Sequence, residues 1–285
     1  MDTIFSLSTA YGKAGISVIR VSGKAAADSC KKIAGFKPCI GQPALRRLKD
    51  QNGELIDRAL ILFFEAGASF TGETVVEYHL HGSIAVISKL LGELNLQTNH
   101  REAMPGEFTR RALENNRLDI TQIEGLADLI NSETEAQRKQ AVRVFDGSIG
   151  RKVKEWRASL IEAGSLIEVT IDFSEEDIPL GLLGRVSELV TKIIMELEKE
   201  IESTKLSERV RSGFEVAIIG APNVGKSTLI NALAGREAAI TSKIAGTTRD
   251  VIEVRMDLNG LPVTFLDTAG LRETKNEVEI LGIKR

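Results

Sequence analysis

Apolar and polar positions change rhythm three times along the 285-residue chain. In the first third the pattern mixes short alternating runs with short helical ones. Ile16 to Val21 reads as a strand, and Ala25 to Ile33 as a helix closed by Gly35. Leu55 to Phe64 follows an Asn52-Gly53 turn, which suits a hairpin because glycine accepts positive φ. Thr74 to Leu80 reads as a further strand, and Ile84 to Leu94 as an amphipathic helix. From Pro105, a residue tolerated at helix starts, the rhythm turns helical. From Ile120 to about Ile171 apolar residues recur at steps of three and four, and a second helix is predicted from Val186 to Leu206. Between them Asp172-Phe173-Ser174-Glu175-Glu176-Asp177 reads as a solvated inter-helix loop rather than a metal site.

At 215 the rhythm becomes that of an α/β protein. Glu215 to Ile219 is an apolar, β-branched run of buried-strand type, followed by a helical stretch from Thr228 to Leu233. Val251 to Leu258 alternates, Asn259-Gly260 is a type I′ turn signal, and Pro262 to Leu266 returns as a strand.

Composition adds limits. Apolar residues make up 42% and charged residues 27%, ordinary globular values that exclude a largely disordered chain. Net charge is −3, which argues against a globally basic nucleic-acid binder. The segments differ, however: residues 1–118 carry +3, residues 119–210 carry −7, and residues 211–285 carry +1. Cys30 and Cys39 are too few for a disulfide framework and read as partly buried free thiols. With no secretory or transit segment and no apolar run of membrane-spanning length, a cytoplasmic protein without membrane contact is expected.

One motif carries explicit chemistry. Gly220-Ala221-Pro222-Asn223-Val224-Gly225-Lys226-Ser227 is a G-x-x-x-x-G-K-S phosphate loop, set between a predicted strand and helix. Its backbone amides would curl around a β-phosphate at the positive end of the helix. Lys226 would reach the β- and γ-phosphates, and the Ser227 hydroxyl would ligate Mg²⁺. Asp267-Thr268-Ala269-Gly270, at the end of the last strand, suits a magnesium-water contact with a γ-phosphate-sensing amide. Thr248, within Gly246-Thr247-Thr248-Arg249-Asp250, could complete the metal shell, and the set forms a nucleotide switch. The position after Gly270, where such switches often carry a water-orienting Gln, holds Leu271. The catalytic polar group therefore comes from elsewhere, and Asn223 is a candidate ligand for an additional cation.

Further segments carry a resemblance. They are Asp2-Thr3-Ile4, Arg20-Val21-Ser22-Gly23, Ser69-Phe70-Thr71-Gly72-Glu73, His79-Leu80-His81-Gly82, Pro105-Gly106-Glu107-Phe108-Thr109, Asn116-Arg117-Leu118-Asp119, Ala127-Asp128-Leu129-Ile130 and Ile244-Ala245-Gly246-Thr247-Thr248-Arg249-Asp250. Together with the phosphate loop they make the whole chain similar to the MnmE (TrmE) family of tRNA-modification GTPases. The resemblance implies a multidomain α/β protein. Residues 1–117 would form an α+β domain that binds a formyl-tetrahydrofolate and dimerises, residues 118–212 the first half of an α-helical central domain, and residues 213–285 part of a P-loop Ras-like G domain.

It also implies roles for single residues. Folate contacts would fall on Arg20, Glu77 and Arg117, the last a position where the family usually has Lys. Magnesium would be held by Ser227 and Thr248, and potassium by Asn223, Ser242, Ile244 and Thr247. The nucleotide would be bound by residues 223–228, by Ser242, Lys243, Ile244, Ala245, Gly246, Thr247 and Thr248, and by Asp267, Thr268, Ala269 and Gly270. Glu279 would act as catalytic acid through water, beside Lys226. His79 and His81 alternate on one strand face, but with no third ligand they suit a structural or folate-pocket role better than a metal pair.

The implied activity is GTP hydrolysis that drives, with the flavoprotein MnmG (GidA), addition of an aminomethyl-type group at C5 of the tRNA wobble uridine. The one-carbon unit would come from 5-formyltetrahydrofolate or a related folate. Residues 214–285 number only 72, below the roughly 100–150 of an ordinary domain. No Asn-Lys-x-Asp guanine motif follows Asp267. The G domain is accordingly expected to be incomplete. A folate-binding, dimerising platform without GTP turnover is the alternative expectation.

Overall fold

The computed structural model describes residues 2–172, 181–219, 224–234, 239–240 and 253–267. The chain divides into two compact units, Met1–Ile120 and Thr121–Arg285.

The first unit is a six-stranded sheet carrying helices on one face. Its strands are β1 (Thr3–Leu7), β2 (Ala14–Ser22), β3 (Ala44–Lys49), β4 (Leu55–Phe64), β5 (Val75–Gly82) and β6 (His100–Glu102), in the order β3-β4-β5-β2-β1-β6. All pairings are antiparallel except β1 with β6. Helices α1 (Ala26–Ala34) and α2 (Ile84–Asn95) bury Cys30, Ile33, Ile87, Leu90 and Leu94 against Ile19, Val21, Ile61, Val76 and Tyr78. The expected helix stop is present, since Gly35 closes α1 in the left-handed conformation. Strand alternation on β5 sends Val76, Tyr78 and Leu80 into this core and leaves Glu77, His79 and His81 on the opposite face. A third helix, α3 (Glu107–Glu114), follows Gly106. The two thiols differ from expectation: Cys30 is fully buried in the core, whereas Cys39 is exposed.

In the second unit the helical run that begins at Ile120 is three helices, α4 (Ile120–Ile130), α5 (Glu135–Phe145) and α6 (Ser148–Asp172). The break before α5 has a local cause. Thr134 accepts a hydrogen bond from the Gln137 amide at 3.3 Å, and the Gln137 side chain accepts one from the Thr134 amide at 3.0 Å, a capping box that fixes a helix start. Helix α7 (Leu182–Ser212) is longer than the expected Val186–Leu206. It runs antiparallel to α6, because Lys152 meets Glu200, Trp156 donates to Glu196 at 2.7 Å, and Glu162 meets Arg185 at 3.1 Å. Ala163, Leu189 and Ile193 are buried, while Ile161, Ile167, Met195 and Ile201 on the same two helices are exposed. The acidic segment after Asp172 lies outside the described residues.

The same unit holds a mixed sheet in the order β7-β10-β9-β8, from β7 (Phe214–Ile218), β8 (Ala239–Ile240), β9 (Glu253–Leu258) and β10 (Leu261–Asp267). Helix α8 (Lys226–Ala234) places Leu233 against the buried Val254 and Met256, on which Ile218 and Phe265 also pack. The turn between β9 and β10 is type I′ as expected, with φ of 54° at Asn259 and 90° at Gly260. The Gly260 amide donates to Asp257 Oδ1 at 2.5 Å. One expectation fails here: β7 reads as a strand buried on both faces, yet Phe214 to Ala217 are exposed. Among the described residues β7 pairs only with β10 and forms the edge of the sheet, so its apolar run is not enclosed.

Candidate functional site

Two regions collect the sequence-predicted residues. The first is the helix-free face of the N-terminal sheet. Antiparallel register sets Arg20 on β2 directly opposite Glu77 on β5, and the two side chains pair at 2.8 Å. His79, two residues along, brings Nε2 to 3.5 Å from Glu77 Oε2. That nitrogen is buried and makes no hydrogen bond among the described residues. The Arg20 guanidinium also lies 5.4 Å from the Phe70 ring centroid and 5.7 Å from that of Phe108. Two aromatic faces thus attract the cation that Glu77 anchors. Arg117 reaches the segment carrying Phe70. A Cβ built on Gly72, whose φ is +78°, would stand 3.1 Å from Arg117 Cγ and 2.8 Å from Asn115 Cβ. Glycine is required there both by its backbone conformation and by that close approach.

The two phenylalanines arrive on separate segments, 69–73 and 104–108, and a buried charge network ties these together. Arg111, only 5% exposed at its side chain, donates to both Glu73 carboxylate oxygens at 3.0 and 3.1 Å, to Asp2 Oδ1 at 2.9 Å and to Glu107 Oε1 at 3.2 Å. Arg101 pairs with Glu107 at 2.5 Å and also with Asp2. Glu73 further accepts from the Ser22 hydroxyl at 2.7 Å, and Ser22 lies 2.7 Å from Thr71 Oγ1. Asn115 donates to the Thr71 carbonyl at 2.7 Å. The Arg101 guanidinium, foremost, holds the Glu107 carboxyl down at about 2. It likewise keeps Asp2 below the ordinary carboxylate range. The conspicuous acids of these segments are therefore supports, and the residues they deliver are Phe70 and Phe108. Neither phenylalanine was a sequence-level site candidate; the available signal was an aromatic residue flanked by turn-formers in each segment.

An arginine–carboxylate pair whose guanidinium lies near two aromatic rings, beside an unsatisfied buried imidazole nitrogen, suits a flat amphipathic ligand carrying hydrogen-bonding edges. A folate has that chemistry. His81 does not join this set: its Nδ1 is 2.8 Å from Asp57, and its backbone amide donates to the same carboxylate at 2.9 Å. No group of three or more potential metal ligands occurs among the described residues.

The second region is one end of the mixed sheet. Strand β7 leads toward Val224, Gly225 and Lys226, and α8 begins at Lys226, with the Leu229 amide donating to the Gly225 carbonyl at 2.9 Å. Parallel pairing of β10 with β7 sets Asp267 opposite Ile218, so the carboxyl ends of both strands reach the same sheet edge. Ligands of open α/β sheets bind at such carboxyl ends. Thr228 lies within α8, and Ser227 occupies its second position. Asn223, residues 242–248, residues 268–270 and Glu279 lie outside the described residues.

A mixed sheet with a helix opening at Gly225-Lys226, in a chain that also holds a helical unit and an α+β domain, has the elements of a P-loop nucleotide-binding protein. Residues 3–117 match the family model described as "GTP-binding protein TrmE N-terminus", and residues 120–281 match "MnmE helical domain". Over all 285 residues the chain is 58% identical to a tRNA modification GTPase MnmE of Roseobacter denitrificans, covering 67% of that protein. It is 58% identical to the same-named protein of Dinoroseobacter shibae, covering 66%, and 50% identical to that of a Jannaschia species, covering 67%. The chain belongs to the MnmE family and spans about two thirds of the length of these relatives. Among the described residues no helix is long and apolar enough to cross a membrane.

Proposed function

We propose that this chain works in tRNA wobble-uridine modification as a GTP-hydrolysing switch coupled to a folate site. The observation that carries the reading is the parallel register that sets Asp267 beside the strand end feeding Lys226. Acid and phosphate-loop lysine then belong to one nucleotide edge. In this reading residues 1–117 bind folate and dimerise, residues 118–212 are helical, and residues 213–285 contribute to the G domain. Lys226 binds β- and γ-phosphate oxygens, with residues 223–228, 242–248 and 267–270 around the nucleotide. Magnesium falls to Ser227 and Thr248, potassium to Asn223, Ser242, Ile244 and Thr247, and the water-positioning carboxylate to Glu279.

On the folate side Arg20 and Glu77 hold the polar edge of the ligand, and Arg117 reaches it along the segment bearing Gly72. Bound 5-formyltetrahydrofolate supplies a one-carbon unit for addition at C5 of the uridine, with the flavoprotein MnmG as partner, in the cytoplasm. Two measurements test the proposal. Thermal shifts with GTP, ATP and 5-formyltetrahydrofolate should show stabilisation by GTP and by the folate. GTP turnover should be faster in K⁺ than in Na⁺. Stabilisation by folate alone would replace the switch with a folate-binding platform, and equal rates in the two salts would remove the potassium assignment.

A further inference from the structure

The outer edge of the N-terminal sheet carries a charge arrangement that folding alone disfavours. Strand β3 reads Ala-Leu-Arg-Arg-Leu-Lys and turns only Leu48 into the core. Antiparallel register sets Arg47 directly opposite Arg58 of β4, a like-charge pair across neighbouring strands. Arg46 lies with its guanidinium 4.6 Å from the Phe36 ring centroid, and Lys32 of α1 and Lys49 complete the group. These five cations line a concavity of about 570 Å³ that wraps round the sheet edge, and no carboxylate lines it. Among the described residues none of the five takes part in an ion pair. Asp57, adjacent to Arg58, is committed: its carboxylate accepts from the Arg58 amide at 2.7 Å and from the backbone and ring of His81.

We propose that this edge binds the phosphate backbone of an RNA. The inference rests on the RNA-directed reading above and deepens it by naming the surface that meets the phosphates. Five unneutralised cations lining one concavity at the sheet edge match the repeated charge of a nucleic-acid strand. The Phe36-backed Arg46 offers a held guanidinium to a phosphate oxygen. A small-ligand pocket carries a small number of polar groups, whereas five cations converge on this concavity. A membrane-seated face needs a broad apolar surface, whereas the exposed apolar side chains of this strand pair, Leu45, Leu60 and Leu55, are interrupted by the Arg47–Arg58 pair and by Lys49. Basic edge strands also serve to block sheet-to-sheet association, so the test separates the two roles.

Binding of an unmodified tRNA transcript to the full chain would be followed by fluorescence anisotropy across a salt series. The variant R46Q/R47Q/R58Q is expected to bind about tenfold or more weakly near ~0.1 M salt, with the slope of log K against log[salt] shallower by about two to three. R46K/R47K/R58K keeps the charges and should retain most of the affinity. K13Q/K24Q/R110Q removes equal charge elsewhere on the same unit and should leave binding near its starting value. Overturning results are an unchanged affinity and slope in the Gln variant, whether or not it aggregates, or equal losses in both Gln variants. Loss of binding to phosphatidylglycerol vesicles with RNA binding intact would assign the edge to a membrane and equally overturn the proposal. If the starting chain binds no RNA while GTP and folate still stabilise it, the RNA-phosphate inference fails and the nucleotide and folate reading stands.

Discussion

Replacing Arg111 with Met should be among the most damaging single changes in the N-terminal unit, although Arg111 touches neither candidate ligand site. Its side chain is 5% exposed and its guanidinium serves three carboxylates. Arg101 still neutralises Asp2 and Glu107 in the variant, so the stranded charge is that of Glu73, itself 15% exposed and left with the Ser22 hydroxyl. Removing one partner of a buried pair costs about 3–5 kcal/mol. Unfolding entropy near ~2 cal/mol/K per residue gives roughly 0.25 kcal/mol/K for a unit of this size, so the transition should fall by about 12 °C or more. The two units report separately: Tyr11 and Tyr78, the two tyrosines of the chain, lie in the first unit, and the single Trp156 lies in the second. Near-ultraviolet tyrosine dichroism should move with the variant, while Trp156 fluorescence stays near its original midpoint. E73Q added to R111M removes the stranded charge and should recover part of the loss, giving a coupling of at least about 1.5 kcal/mol in a double-mutant cycle. Additivity within about 0.5 kcal/mol would refute the buried-charge account and leave Arg111 as ordinary packing.

Four further outcomes follow from the same geometry. F70L/F108L keeps apolar volume but removes the ring faces over Arg20, so 5-formyltetrahydrofolate affinity by calorimetry should fall roughly threefold to tenfold, with little change in melting temperature. Glu107 is held at about 2 against an ordinary 4.5, and a depressed carboxylate contributes stability above its unfolded pKa that disappears as pH falls through the folded one. The N-terminal unit should therefore lose stability as pH drops from about 5 to about 2, and E107Q should flatten that decline in urea titrations. Burial pushes the Cys30 thiol up to about 11, so a thiol reagent should label one cysteine per native chain, Cys39, and both after denaturation. In the helical unit a Cβ on Gly125 would stand 2.5 Å from the Phe145 amide nitrogen; G125A should force α4 and α5 apart and cost about 1–3 kcal/mol, read by Trp156 fluorescence in urea.

Much of the local architecture could be read from periodicity, because it depends on neighbours in sequence. Strand β4 has the bounds read from its apolar run after the Asn52-Gly53 turn, Gly35 ends α1, and Asn259-Gly260 makes the turn that positive φ at both positions requires. The helical run from Ile120 concealed two breaks for a physical reason. Phe145 and Ile149 keep a step of four across the second break, while the first falls in the polar stretch 131–135, where the box at Thr134 and Gln137 rather than apolar spacing sets the new helix start. Burial was harder to read than strand identity. The residues of β7 have a buried strand's composition, but its exposure depends on what lies beside it, which no local pattern encodes.

The candidate folate face shows the same division between local and distant information. Alternation alone places Glu77 and His79 on one face of β5, and register then meets Glu77 with Arg20. The aromatic flank of Arg20 has no such local trace, because Phe70 and Phe108 lie 38 residues apart and converge only through Arg111, Glu73 and Glu107. Acids in short glycine-containing motifs invite a catalytic reading, but their partners here are arginines and hydroxyls of the protein itself. Two kinds of lesion should therefore separate experimentally. Changes at Glu73, Glu107 or Arg111 weaken the fold and, through it, everything the face does. Changes at Phe70, Phe108 or Arg20 weaken ligand binding in a protein that remains folded. Ligand affinity plotted against melting temperature across both groups should fall on two distinct lines, and a single shared line would mean that the aromatic flank is itself only scaffold.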